Sequence, residues 1–233
     1  MGESTSVVRR IGRVSALAIF LIGILYVITG AIGLIASRDL AQHEPFTQID
    51  PFLAILELLI ILVAPPMVVM MASVHSYAPR SKKIYSLTAL CFMTLFAGMT
   101  MSIHFVQLTI ARRIESAGIA PLSVIFFSKW PSVLFALDLL AWDLFLGLSL
   151  LFAAPVFKGG RLHRWVRNFM TVSGGLCLAG IVGPATGDLR FQILGIIGYA
   201  FVFPVVCMLL AILFGRAESL SEGAKQEMGA EAA

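Results

Sequence analysis

Four ionisable residues of this sequence stand inside long apolar runs. Glu57 lies in LAILELLIIL, His104 in MTMSIHFV, and Asp138 and Asp143 in LFALDLLAWDLFLG. An ionised side chain at the centre of such a run costs about 2.5–3.5 kcal/mol on insertion into a membrane. These residues must therefore face the protein interior, find partners or give up their charge. Two carboxyls and an imidazole can exchange protons, or hold a small polar ligand. In that chemistry Glu57 is the main acceptor, His104 its proton partner and Asp138 the second carboxylate.

Spacing supports grouping three of the four. Glu57 lies about two turns after the start of its run at Phe52, and Asp138 about two turns after Pro131. His104 lies about two turns before Arg112, where its run ends, and Tyr199 a similar distance into the last run. At about 1.5 Å per residue, all four sit roughly 10 Å below one surface. Thr100, His104 and Gln107 share a helix face by i+4 and i+3 spacing, which makes a polar stripe. Glu57, His104, Asp138, Gln107 and Tyr199 are thus the expected ligand- or proton-binding residues. Asp143 follows Asp138 by five residues, so at about 100° per residue the two point roughly 140° apart. Asp143 is expected to make a separate, deeper contact.

Other chemistries find less support. Glu57, His104 and Asp138 form a mixed nitrogen–oxygen set of the kind zinc, manganese or iron accepts. Yet no His-x-x-x-His or HExxH spacing occurs, so no metal or other cofactor is expected. There is no phosphate-binding glycine loop and no serine-nucleophile motif. Cys91, Cys177 and Cys207 lie in apolar runs without a Cys-x-x-Cys pair and read as small buried hydrophobes. His43, His75 and His163 fall between runs beside charged residues and read as solvated loop histidines.

The elements that must position these groups are membrane spans. Of 233 residues, 59% are hydrophobic and 13% charged, against roughly 25% charged in a soluble domain. The apolar residues fall in blocks, at about 14–36, 52–74, 84–111, 132–157, 166–183 and 193–214. Blocks of about 20 residues cover the roughly 30 Å hydrocarbon layer as helices. The expected fold is all-α, a polytopic bundle of six spans (14–215), with a basic tail at 1–13 and a disordered tail at 216–233. The first block is too long for the apolar core of a signal peptide, which runs about 7–15 residues. Pro65-Pro66 should kink the second helix or break its last turns. The stretch APLSVIFFSKWP is too short to span and is expected to lie in the interface.

Charge sets the orientation. Twelve of the 17 Lys and Arg residues fall on one side of a six-span topology, among them Arg9, Arg10, Arg13, Arg80, Lys82, Lys83, Lys158 and Arg161. Arg38, Arg112, Arg113, Lys129 and Arg190 fall on the other. Positive-inside bias then places both termini in the cytoplasm of a cell whose plasma membrane holds the protein. The net charge of +4 belongs to span ends facing anionic lipid, and without a basic stripe carrying aromatics no nucleic-acid partner is expected. Small residues at four-residue spacing, Gly175, Ala179 and Gly183 in the fifth run with Gly174 and Gly180 beside them, and Gly33 and Ser37 in the first with Gly23 and Gly30, should let helices approach closely.

The opening RRIGRVSALAIF, the glutamate of LAILELLI and the segment RLHRWVRNFMTVSGGLCLAG together resemble small bacterial multi-span proteins grouped as a domain of unknown function. That resemblance implies a multi-span membrane fold and no particular chemistry. The expected function is a multi-pass protein with an outward-facing polar cavity. It would bind a small ligand, a lipid headgroup or a proton, as a transporter or sensor does. The alternatives are an intramembrane metal-dependent enzyme and a structural or accessory subunit.

Overall fold

The computed structural model describes residues 2–36, 51–111, 125 and 130–216, and every regular element among them is helical. Six of its helices are long and apolar enough to cross a membrane: α1 (Ser6–Ala36), α2 (Phe52–Tyr77), α3 (Arg80–Ala111), α4 (Val133–Val156), α5 (Arg161–Thr186) and α6 (Leu189–Arg216). Successive spans pack against each other. The ring closes where α1 meets α6: a methyl group on Gly12 would meet the Phe214 ring at 2.9 Å, and one on Gly215 would meet Arg13 Nε at 3.3 Å. The first and last spans thus bring their chain-terminal ends together, as an even number of spans requires.

Most span limits extend past the apolar blocks, because polar residues at a span end are excluded by hydropathy and accepted by a helix. Residues 2–13 form no separate tail; the helix that becomes α1 runs unbroken from Gly2 to Ala36, so Arg9, Arg10 and Arg13 ride on it. Likewise α5 starts at Arg161 rather than near Val166. Long basic side chains suit such turns, since their alkyl stems lie along apolar surface while the charge reaches water. The segment 217–233 and nearly all of APLSVIFFSKWP lie outside the described residues.

The proline pair breaks nothing. α2 runs through Pro65 and Pro66 from Phe52 to Tyr77, although the two missing N–H groups leave the carbonyls of Ile61 and Leu62 without their usual donors. It ends instead at Ala78, whose extended backbone (ψ 134°) is what the following Pro79 demands. There Lys83 Nζ donates to the His75 carbonyl at 2.5 Å, and His75 Nδ1 bonds Ser86 Oγ at 2.9 Å. His163, in the first turn of α5, bonds the Tyr77 hydroxyl at 2.7 Å. Both histidines are therefore half-buried ties between helix ends rather than solvated loop residues.

α4 begins with a serine cap, Ser132 Oγ accepting from the Phe135 N–H at 3.1 Å. It is the most enclosed span. In its most apolar stretch 44% of residues are buried, against 17% in α1, so α4 carries the centre of the bundle and α1 lies against its outside. The core beside it is rich in methionine, with Met67, Met70, Met71, Met93 and Met170 fully buried together with Phe96, Phe157 and Phe214. The close approach of α4 and α5 uses Gly174, not Gly175. A methyl at Gly174 would lie 2.7 Å from the Gly147 carbonyl oxygen, whereas one at Gly175 would meet nothing within 4 Å. In α1, Gly33 does serve as a contact, lying against Phe52 of α2.

Three spans contain a π-helical stretch: Gln107–Ala111 in α3, Leu140–Phe145 in α4 and Ile197–Val202 in α6. Such turns are rare and occur often at functional sites. Here one follows His104 within three residues, one contains Asp143 and one contains Tyr199.

Candidate functional site

Because α3 packs against both α2 and α4, a side chain at the right height on α3 can touch both neighbours. His104 does. Its Nδ1 lies 2.5 Å from Glu57 Oε2 and its Nε2 lies 3.2 Å from Asp138 Oδ1. Three residues from three spans, 47 and 34 positions from the histidine, thus meet at one imidazole. Glu57 and His104 are buried, while the Asp138 side chain remains 24% exposed. The cluster therefore has a closed end at Glu57 and an open one at Asp138.

Helix ends favour this distribution of charge. Glu57 and Asp138 lie near the N-terminal ends of α2 and α4, and His104 lies in the final α-helical turn of α3, before its π-helical stretch. The helix dipole favours anions at the first kind of end and cations at the second, an effect that fades beyond the terminal turn. The hydrogen bonds decide more. An ionised carboxylate only accepts, so each ring nitrogen facing one must donate. If both carboxyls are ionised, the imidazole carries protons on both nitrogens and the cluster has a net charge of −1. One further proton makes it neutral. Sites coupled this closely bind and release protons as a unit.

The polar stripe on α3 faces inward as expected. Thr100, His104 and Gln107 are all buried. Thr94 and Thr109 turn their hydroxyls back to the carbonyl four residues earlier, but buried Thr100 Oγ1 has no hydrogen-bond partner among the described residues. It lies one turn before His104 on the same inward face of α3.

One expected member stands elsewhere, and two residues that were not expected stand beside the polar groups. Tyr199 belongs to a second group of polar residues. It lies near Asp143 and Gln192, with its ring 5.1 Å from that of Trp142, and reaches the first cluster only through the proximity of Asp138. Equal depth put it with His104; the rotation of α6 turns it toward Asp143. Tyr26 of α1 lies close to Glu57 and Asp138 and was hidden among the apolar residues of its span. Gln192 was hidden in the polar turn GPATGDLRFQ, because the helix starts three residues before it, at Leu189.

Among the described residues no group of three or more His, Cys, Asp or Glu side chains is arranged to hold a metal ion. No family model, curated protein or solved structure matches this chain.

Proposed function

We propose that this is a multi-pass protein of the plasma membrane with both termini in the cytoplasm, and that Glu57, His104 and Asp138 form a proton-binding site in its outer half. The site would couple proton binding to a transporter-like or sensor-like change in the bundle. The observation that carries this reading is the placement of one buried imidazole between two carboxyls from different spans. Adding or removing one proton there changes the charge of three helices' common contact, which gives the helices a reason to shift. Asp138, the exposed member, would be the point of proton entry.

Nitrogen NMR of His104 in lipid tests this. Both ring nitrogens are expected to change together with the Glu57 carboxyl carbon in one reversible pH step while the protein stays folded. Ring signals that hold constant until unfolding would make the cluster a static tie between helices, as in a structural subunit.

The orientation has its own test. In a chain cleared of Cys91, Cys177 and Cys207, a cysteine replacing exposed Arg190 should react with an impermeant thiol reagent added to whole cells. One replacing exposed Ser81 should react only after permeabilisation. The reverse pattern would turn the protein over and place the cluster in the inner half.

A further inference from the structure

Asp143 has no exposed surface, and the site proposed above does not use it. It is fully buried, and neither carboxylate oxygen has a hydrogen-bond partner among the described residues. Beside it stands Gln192 of α6, 5% exposed, near enough to act on Asp143 and Tyr199 but with no hydrogen bond of ordinary geometry at its amide nitrogen or oxygen among the described residues. Two neighbouring buried polar groups, both unsatisfied, are unusual in a native core.

The backbone makes room for this carboxyl. A methyl on Gly195 of α6 would collide with Asp143 Oδ1 and lie 3.1 Å from Gln192 Nε2. A methyl on Gly180 of α5 would lie 3.0 Å from the same Asp143 oxygen and 2.8 Å from the Gly195 Cα. The carboxyl thus sits in a cradle that exists only because both neighbouring helices carry glycine there. It also sits within the π-helical turn Leu140–Phe145. Purely apolar packing of α4 on α5 and α6 would need neither glycine nor acid at this place.

We infer that Asp143 and Gln192 form a second proton-binding site, buried between α4, α5 and α6. An ionised carboxylate here would be a buried charge with no cation beside it, which is strongly unfavourable. The neutral acid instead carries an O–H, which the Gln192 amide oxygen can accept. When the proton leaves, the same amide can turn and donate its N–H to the carboxylate, because an amide offers both roles. One side chain therefore serves both states of its neighbour. The other titratable groups near Asp143 are Tyr199 on α6, Cys177 on α5 and Asp138 on its own helix. None is a cation, and α3 presents Phe96 to the adjacent Trp142. Tyr199 lies near both Asp143 and Asp138, and a proton released from Asp143 as pH rises passes to bulk solvent. The site itself is independent of the Glu57–His104–Asp138 reading.

Infrared spectroscopy of the full chain in lipid nanodiscs, with the aspartate carboxyl carbons isotopically labelled, is the test. At neutral pH a protonated-acid carbonyl band shifted by the label is expected. It should persist in Glu57→Gln and in Asp138→Asn, vanish in Asp143→Asn, and fade reversibly as pH is raised while the protein remains folded. If Asp143→Asn does not fold, Gln192→Leu serves instead, and should move the band to higher frequency by removing the acceptor. The inference is overturned by absence of the band in Asp138→Asn. It is also overturned by a band that persists until the protein unfolds, which marks a fixed structural acid. Loss of the band on adding sodium ions at constant pH would overturn it too, since that marks a cation site.

Discussion

Replacing His104 by leucine is expected to lower the unfolding free energy by about 3–5 kcal/mol, the range for breaking a buried charge pair by removing one partner. Two effects compete in setting that size. Loss of interhelical hydrogen bonds alone would cost about 0.6–2 kcal/mol in a membrane. The larger effect comes from what remains, since the Glu57 side chain, only 8% exposed, loses the group that balances it. The penalty should therefore shrink as pH falls and the stranded carboxyl is protonated. It should shrink similarly when Glu57→Gln is added to His104→Leu, because the double variant leaves no charge behind at Glu57. Denaturant unfolding in bicelles of the wild type, both single variants and the double variant separates the two effects. A loss below about 1 kcal/mol with no recovery in the double variant would mean that the cluster carries no charge.

The second large effect is a change of sign between adjacent residues. Gly174→Ala drives a methyl toward the Gly147 carbonyl oxygen and to 2.8 Å from Leu151 Cγ. Leucine can rotate away, but a backbone carbonyl in α4 cannot, so the two helices must separate. A loss of about 1–3 kcal/mol is expected, as for other overpacked contacts. Gly175→Ala places its methyl in open space and removes the entropic cost of a helical glycine. It should gain about 0.5–1 kcal/mol. Thermal unfolding of the two variants under identical lipid conditions tests this. Equal effects would contradict the packing of α4 on α5.

The two residues also mark where sequence stops being a guide. Four-residue spacing of small side chains identified α5 as a packing helix, and it is one, but spacing does not give the rotation of a helix about its axis. The contact with α4 falls at Gly174, one residue from the Gly175 of the spaced set, whereas Gly183 of that set does meet α6, a methyl there lying 2.9 Å from the Gln192 nitrogen. The same limit separates Tyr199 from His104: depth along a helix follows from residue number, direction does not. The π-helical turns in α3, α4 and α6 widen the gap, because each redirects every side chain beyond it relative to a regular helix.

What depends on depth and cost was legible. Glu57, His104 and Asp138 could be grouped because charges in hydrocarbon must find one another and because all three lie two turns from the same end. The six spans were legible from apolar block length alone. Gln192 was not, since a polar residue next to a polar turn looks like part of the turn; its one signal was position, immediately before the apolar run ILGIIGYAFV. His163 was misread for the same reason, because a helix that projects past the apolar layer carries loop-like residues. Tyr26 gave little signal, because a tyrosine that shares an apolar span with Phe20 reads as one more ring packed in lipid.

The central claim, that the cluster of Glu57, His104 and Asp138 binds protons as a functional site, is tested most directly by proton counting in Glu57→Gln. Glutamine keeps the size of the side chain and a hydrogen bond to the imidazole, and removes the titratable oxygen that lies closest to it. Potentiometric titration of purified protein in lipid, wild type against variant, gives the number of protons exchanged by the folded chain. The expected result is loss of the proton step assigned to the cluster, with thermal stability nearly unchanged. An identical titration curve in the variant, or a proton step lost only in proportion to lost stability, would contradict the account.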